Sequence, residues 1–275
     1  MQAEVSQPLV ALNWRQFGAS AWLANLALLT SFAVAQLTTS QGSAFTLLLA
    51  MAAVNAWIAL WALLDGVQWE RLLSTWQTWR GEVTLPRLPY TLPESDAEQA
   101  RRHLGALIAW AQATGRATSL DVVALSVLTF ATLSLLAGIG LGTTATALSG
   151  LALLSVQANV WARRRIQTLL WNIVWQATLG ALRAGLPMLL GYAIVAPPSW
   201  ALVALGIGLA LVASPQRRGR ALGGAAVIVL LLATRQPIGA FLVAQIWLPQ
   251  LLLGNLRAQL LWQSLVVVSA VLTLS

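Results

Sequence analysis

Apolar residues in this chain come in blocks of about 15 to 25, the length at which a helix rising 1.5 Å per residue crosses the hydrocarbon core of a bilayer. Charged residues make up only 9 % of the sequence, against roughly a quarter in a soluble domain. A chain so poor in polar surface cannot fold around a core and still face water. An all-α polytopic membrane protein is therefore the expected fold, organised as a single transmembrane domain over residues 1–275. Nine spans can be drawn, at about Phe17–Leu37, Ser43–Gly66, Leu120–Gly140, Thr144–Ala162, Gln167–Val195, Trp200–Ala213, Ala221–Thr234, Ile238–Gly254 and Ala258–Leu274.

Arginine placement orients these spans, because basic residues in short loops collect on the cytoplasmic side. With the N-terminus inside, the inner segments hold Arg15, Arg71, Arg80, Arg87, Arg101, Arg102, Arg116, Arg163, Arg164, Arg165, Arg217, Arg218, Arg220 and Arg257. Thr38–Gly42, Leu141–Thr143 and Ala196–Ser199, on the other side, are uncharged, and Arg235 alone falls at an outer end. The expected location is the cytoplasmic membrane of a prokaryote, N-terminus inside and C-terminus outside. The net charge of +8 sits in these connections rather than along one groove-sized face, which points to lipid headgroups as partners and not to nucleic acid. All basic residues are Arg, read as a base-composition bias of the genome, and Met1–Asn13 lacks the basic region of a cleaved signal peptide.

The long connection Val67–Ser119 carries eleven of the formal charges and is predicted to form a cytoplasmic cap, residues 67–119. Trp69, Leu72, Leu73, Trp76 and Trp79 recur at helical spacing, which suits a helix lying in the headgroup layer with its indoles at the interface. A Pro-containing turn, Leu85–Pro93, follows. Ser95 with Glu98 then has the form of a capping box, opening a helix whose apolar stripe is Leu104, Leu107, Ile108 and Ala111.

Chemistry is restricted by what is missing. From Val122 to Ser275 there is no Asp, Glu, Lys, His or Cys, while nine arginines lie there. The groups that usually hold divalent metals, relay protons or attack substrates are thus absent from more than half the chain. Without Cys, disulfides and thiolate chemistry are excluded as well. His103, the only histidine, falls on the cap, where it reads as a solvated residue, so no imidazole is predicted for a metal inside the membrane.

Arg183 is the one charge predicted well inside a span, where ionisable groups are costly and commonly functional; snorkelling or pairing with backbone carbonyls is the plainer reading. Trp171 and Trp175, four apart, share a helix face on which a ring could stack, or on which they simply pack. Arg163, Arg164, Arg165 and Arg217–Arg220 read as topology determinants and lipid-headgroup contacts, with anion binding as an alternative. Trp161, Trp200, Trp247 and Trp262 fit an aromatic belt. Gln157, Asn159, Asn172, Gln176 and Gln245 are candidates for interhelical hydrogen bonds. Gly138, Gly142, Gly206, Gly223 and Gly224 are candidates for close helix approach.

The order of features resembles the UbiA superfamily of intramembrane prenyltransferases. Gly115-Arg116-Ala117-Thr118-Ser119 is similar to the Gly-x-Ile-Ser segment opening that family's third helix. Trp161-Ala162-Arg163-Arg164-Arg165 with Thr168 and Asn172 resembles its Tyr-x-x-Lys-Arg run. Gly180-Ala181-Leu182 with Leu186-Pro187-Met188-Leu189-Leu190-Gly191-Tyr192 resembles its Gly-x-x-Pro-x-x-x-Gly fifth helix. The resemblance implies nine helices around a central cavity, in which two Asp-rich motifs hold Mg²⁺ against a prenyl diphosphate. Both motifs fail here: Leu64-Asp65-Gly66-Val67-Gln68-Trp69-Glu70 has lost the spacing of its acids, and Ala213-Ser214-Pro215-Gln216-Arg217-Arg218-Gly219-Arg220 has none.

Two expectations follow, one non-catalytic and one catalytic. In the first, the chain is a non-catalytic subunit of a larger bioenergetic or photosynthetic complex. It binds lipid, quinone or carotenoid in a prenyltransferase-like cavity, with Arg183, Trp171, Trp175, Asn172, Arg163 and Arg164 as ligand-binding residues, no catalytic residue and no metal. In the second it is an active prenyltransferase using Asp65, Glu70 and Asp96 in an altered arrangement. A transporter would need a polar path that the C-terminal spans furnish only with amides, hydroxyls and Arg183.

Overall fold

A computed structural model of the protein describes residues 13–39, 42–81, 83–86, 95–118, 120–252 and 256–273. The N-terminal segment read for a signal peptide, most of the Pro-containing turn and the last residue of the ninth span lie outside them. Every regular element among the described residues is helical. They are α1 (Trp14–Thr39), α2 (Ala44–Gly66), α3 (Trp69–Thr78), α4 (Asp96–Thr118), α5 (Leu120–Leu141) and α6 (Thr143–Arg164). After α7 (Leu169–Gly180) a π-turn, Ala181–Gly185, leads into α8 (Leu186–Ala193). Then come α9 (Trp200–Val212), α10 (Arg217–Ala233), α11 (Pro237–Leu252) and α12 (Leu256–Thr273).

Five stretches are long and apolar enough to cross a membrane: Trp14–Leu37, Ala44–Gly66, Asp121–Leu141, Thr143–Arg164 and Leu169–Ala193. They coincide with the first five predicted spans. The remaining four predicted spans are helices too, but shorter. α9 has 13 residues, about 20 Å of rise, against a hydrocarbon core of roughly 30 Å. Polar turns cut these helices down: Ser214-Pro215 ends the α9 region, and Arg235, at a φ of 62°, ends the α10 region before Pro237 starts α11.

The described chain divides into two compact units, one containing Leu63–Leu128 and the other comprising Asn13–Ala62 with Thr129–Ser275. In the second, α1 packs on α8 and α12, α9 on α10, α10 on α11, and α6 on α7. The buried core runs through Leu23, Val34, Met188, Leu205, Leu209, Val227, Leu231, Val243 and Val266.

Small residues set the closest approaches, as van der Waals packing between helices in a membrane requires. A methyl group at Gly180 would overlap the carbonyl of Ala210, one at Gly185 would meet the carbonyl of Gly206 at 2.6 Å, and one at Gly191 would overlap Leu28 and Ser31. Gly138, Gly206, Gly223 and Gly224 lie at helix contacts as expected. Gly142 does not: nothing lies near it, and its φ of 110° shows that it serves the turn between α5 and α6.

Polar side chains reinforce the packing. Asn25 and Asn55 exchange amide hydrogen bonds between α1 and α2, at 3.0 and 3.2 Å. Each also donates to the carbonyl one turn back in its own helix. Trp57 donates its indole N–H to Ser134 Oγ at 2.6 Å.

The first unit contains the predicted cap. Val67, Leu72 and Val123 form a small core with Leu63, Trp69, Trp110 and Val127 packed against it, and Trp76 meets Trp110 edge to face at 5.6 Å. Trp69 and Trp76 of α3 are half-buried and pack within the unit. The Ser95 hydroxyl accepts the N–H of Glu98 and caps α4, as its spacing predicts. Glu98 does not reach back to complete the box. Its carboxylate accepts from Arg101 Nε at 2.8 Å and Nη2 at 2.6 Å, while Arg101 Nη1 donates to the carbonyl of Leu85.

The hydrogen bonds from Arg101, with Arg102 adding a weaker one, hold Glu98 at about 2, well below the ordinary 4.5. A depressed carboxylate stabilises the fold above its unfolded pKa and loses that contribution as pH falls through the folded one. Amide exchange in peptides covering 95–110, corrected for intrinsic rate, should rise between pH 4.5 and 2. Glu98→Gln should exchange fast throughout that window. A pH step that survives the substitution would show that another group controls it.

Candidate functional site

The helix from Leu169 to Ala193 positions the most unusual side chain in the second unit. Pro187 has no N–H to give to the carbonyl four residues earlier, that of Arg183, and its ring would crowd that group in a regular helix. The backbone widens instead, and the N–H of Leu186 bonds to the carbonyl of Ala181, five residues back. Such π-turns recur at functional sites because they re-aim side chains. Here the side chain on the turn is Arg183.

Arg183 Nε donates to Ser20 Oγ of α1 at 2.9 Å, and the guanidinium lies 5.7 Å from the ring centroid of Trp61, within cation–π range. Trp61 in turn donates its indole N–H to Asn159 Oδ1 of α6 at 2.8 Å. The Asn159 amide nitrogen donates to the carbonyl of Trp175 at 2.8 Å and to Thr178 Oγ1 at 3.0 Å. Ser20, Trp61 and Asn159 are all buried. One chain of contacts thus ties α1, α2, α6, α7 and the π-turn together through an arginine, an indole, an amide and two hydroxyls.

The other predicted residues fall elsewhere. Asn172 belongs to a second network near the α9–α10 turn, where its Oδ1 accepts from Gln176 and from Gln216, each at 2.9 Å. The Ser214 hydroxyl donates to Gln176 Oε1 at 3.0 Å and closes the set. Trp171 is covered by Arg165, whose guanidinium carbon stands 5.6 Å from its ring centroid. Trp175 joins the first cluster through its backbone. Arg163 and Arg164 are exposed at the end of α6. The six residues proposed from sequence thus take part in separate sets of contacts.

Arg220 corrects the reading of Arg217–Arg220 as headgroup contacts. Arg217 and Arg218 are exposed, but Arg220 is buried, and its Nη1 donates to the carbonyls of Pro215 at 2.6 Å and Ser214 at 3.3 Å. It closes the turn after α9, and its own carbonyl accepts from the Trp247 indole at 3.1 Å. Of the amides marked for interhelical bonding, Asn159 makes such bonds, Asn172 and Gln176 tie α7 to the turn between α9 and α10, and Gln157 and Gln245 are exposed. Ser20 and Trp61 carried no distinguishing signal in the sequence, since their partners are remote along the chain.

Asp65 is half-buried at the end of α2; Glu70, Asp96 and His103 are exposed. All four lie within Leu63–Leu128. Among the described residues, no three His, Asp or Glu side chains are gathered closely enough to hold a metal ion.

The all-helical fold with five membrane-length apolar helices makes this a membrane protein. No protein-family model matches the chain, and no curated protein or solved structure matches it either.

The Trp61–Asn159 hydrogen bond should behave as a coupled pair. Trp61→Phe and Asn159→Leu should each lower stability to SDS-driven unfolding, and their effects should fall short of additive by about 0.5 to 2 kcal/mol, the range for interhelical bonds in membranes. Additive losses would mean that the bond contributes nothing beyond packing.

Proposed function

We propose that the chain is a non-catalytic integral membrane subunit that holds an amphiphile with an apolar tail, a lipid, quinone or carotenoid, inside a larger membrane assembly. The observation that carries this reading is the chemistry of the second unit. Asn13–Ala62 and Thr129–Ser275 contain ten arginines, amides, indoles and hydroxyls but no carboxylate side chain, imidazole or thiol. Such a set can orient a polar head by hydrogen bonds. It lacks the carboxylates, imidazole and thiol that usually shuttle protons or activate a hydroxyl nucleophile.

In this reading the polar head lies near Ser20, Trp61, Asn159 and Arg183, and the tail lies among the surrounding apolar helices. Large apolar side chains exposed on the second unit, among them Leu136, Ile139, Leu154, Ile207, Val229 and Phe241, would face lipid or a partner subunit. All nine apolar helical stretches cross or enter the bilayer, N-terminus inside and C-terminus outside, in the manner of the UbiA bundle. The short C-terminal helices would then be tilted or matched by local thinning.

Sidedness is checked with single cysteines in this Cys-free chain. A cysteine at Gln216 should react with an impermeant reagent only from the cytoplasm, and one at Ser275 only from outside. Reaction of both from one side would overturn the nine-span count.

Mild extraction into polymer-bounded discs, followed by native mass spectrometry, tests the function. The protein should carry a tail-bearing molecule or a second subunit, and Arg183→Gln should lower the occupancy of a bound molecule at least several-fold. A bare monomer would defeat the proposal. So would turnover of labelled prenyl diphosphate with Mg²⁺, an outcome that would favour the catalytic alternative through Asp65, Glu70 and Asp96.

A further inference from the structure

α4 is held along its Glu98–Gly105 side and, nearer its C-terminal end, through Trp110 and the buried Thr114. The buried Glu98 and the Arg101 that binds it mark that side, together with Gly105, whose carbonyl accepts the N–H of Val83 at 3.4 Å. Trp110 adds a flank, edge-on to Trp76 of α3. Ala97, Ala100, Leu104, Leu107 and Ala111 follow one another at steps of three and four residues, which places them on a single stripe of the helix. That stripe turns away from the Glu98–Gly105 side. Leu104 is 53 % exposed and Leu107 50 % exposed, and Ala97 and Ala100 are exposed beside them.

Three observations identify what covers this stripe. The first is attachment: the segment is tied at both ends to helices of membrane-crossing length, α2 ending at Gly66 and α5 starting at Leu120. Leu107 lies only about 16 Å of helix before Thr118, where α4 ends. The second is charge. After Asp96 and Glu98 in its first turn the helix has no acid, whereas Arg101, Arg102 and Arg116 are basic. Arg102 is exposed on the opposite face, four residues from Glu98, so the charge of the helix lies away from its apolar stripe, as in a helix lying in a membrane interface. The third is the state of α3, whose Trp69 and Trp76 are already committed to packing inside the unit.

We propose that α4 is the membrane-surface element of the first unit: it lies on the bilayer with Leu104 and Leu107 inserted at the boundary between headgroups and acyl chains, and with Arg102, on the opposite face, toward water. The inference is independent of what the second unit holds. It requires only that α2 and α5 enter the bilayer.

The absence of native cysteine makes the test direct. Full-length protein with a single cysteine at Leu104, Leu107 or Arg102 is spin-labelled and reconstituted into vesicles of phosphatidylcholine mixed with phosphatidylglycerol. Collision rates with oxygen, which concentrates in the bilayer, and with a water-soluble nickel chelate are compared at each position. Labels at 104 and 107 should favour oxygen several-fold, and the label at 102 should favour nickel. Equal nickel access at all three positions would show the stripe facing water. Protection of 104 and 107 from both reagents would show a protein covering it. Either result overturns the proposal. The substituted side chains are exposed or half-exposed, and unchanged circular dichroism and elution volume confirm that each labelled protein is folded.

Discussion

The second unit depends on how closely the chain between Leu169 and Ala193 approaches its neighbours. Gly180 and Gly185 bring this helix against the backbone of α9, and Gly191 brings it against α1. Side chains at these positions would hold the helices apart and break the contacts that follow. Because lipid tails are as apolar as leucine, a membrane protein gains little by hiding hydrophobic surface between its helices. Shape and hydrogen bonding must supply the cohesion. The glycine contacts supply the first, and they bring α1 and α6 near enough to the π-turn for the second.

Several of the bonds between helices of that unit join neutral partners. The Asn25–Asn55 pair, the Trp57–Ser134 bond and the Trp61–Asn159 bond each join two helices through buried or half-buried polar groups. In a medium without water an unmet donor is costly, so these pairs fix helix rotation as well as position. The two internal arginines are accommodated differently. Arg183 lies on a π-turn beside an indole face, whereas Arg220 bends back onto the carbonyls that end α9.

Much of this was legible in the sequence because bilayer-length apolar blocks have few alternatives to helix. The first five spans fall where their apolar runs lie, and the Ser95 cap and the helix ends marked by Arg163, Arg164 and Arg217 are local signals. What could not be read was anything decided by remote partners. Trp61 resembles any other tryptophan until Asn159, ninety-eight residues away, receives its N–H. α3 and α4 both carry apolar stripes, and sequence spacing cannot say which one packs; the structure buries Leu72 and leaves Leu104 open. Arg220 reads like its neighbours Arg217 and Arg218 until the turn after α9 folds under it. The length of the last four helices depends on where short polar turns close, which hydropathy alone blurs.

The confinement of acids to one region has a physiological consequence. All eight carboxylate side chains lie at Glu4 or between Asp65 and Asp121. Across Asn13–Ala62 and Thr129–Leu274 the only ionisable side chains are arginines and Tyr192. Those segments thus hold none of the carboxylate, imidazole or thiol side chains on which acid-driven switches are usually built. A carboxylate- or imidazole-based response of this protein to acid has to draw on Glu4 or on the Leu63–Leu128 unit. A transmembrane voltage, by contrast, would still act on the fixed arginines of those segments.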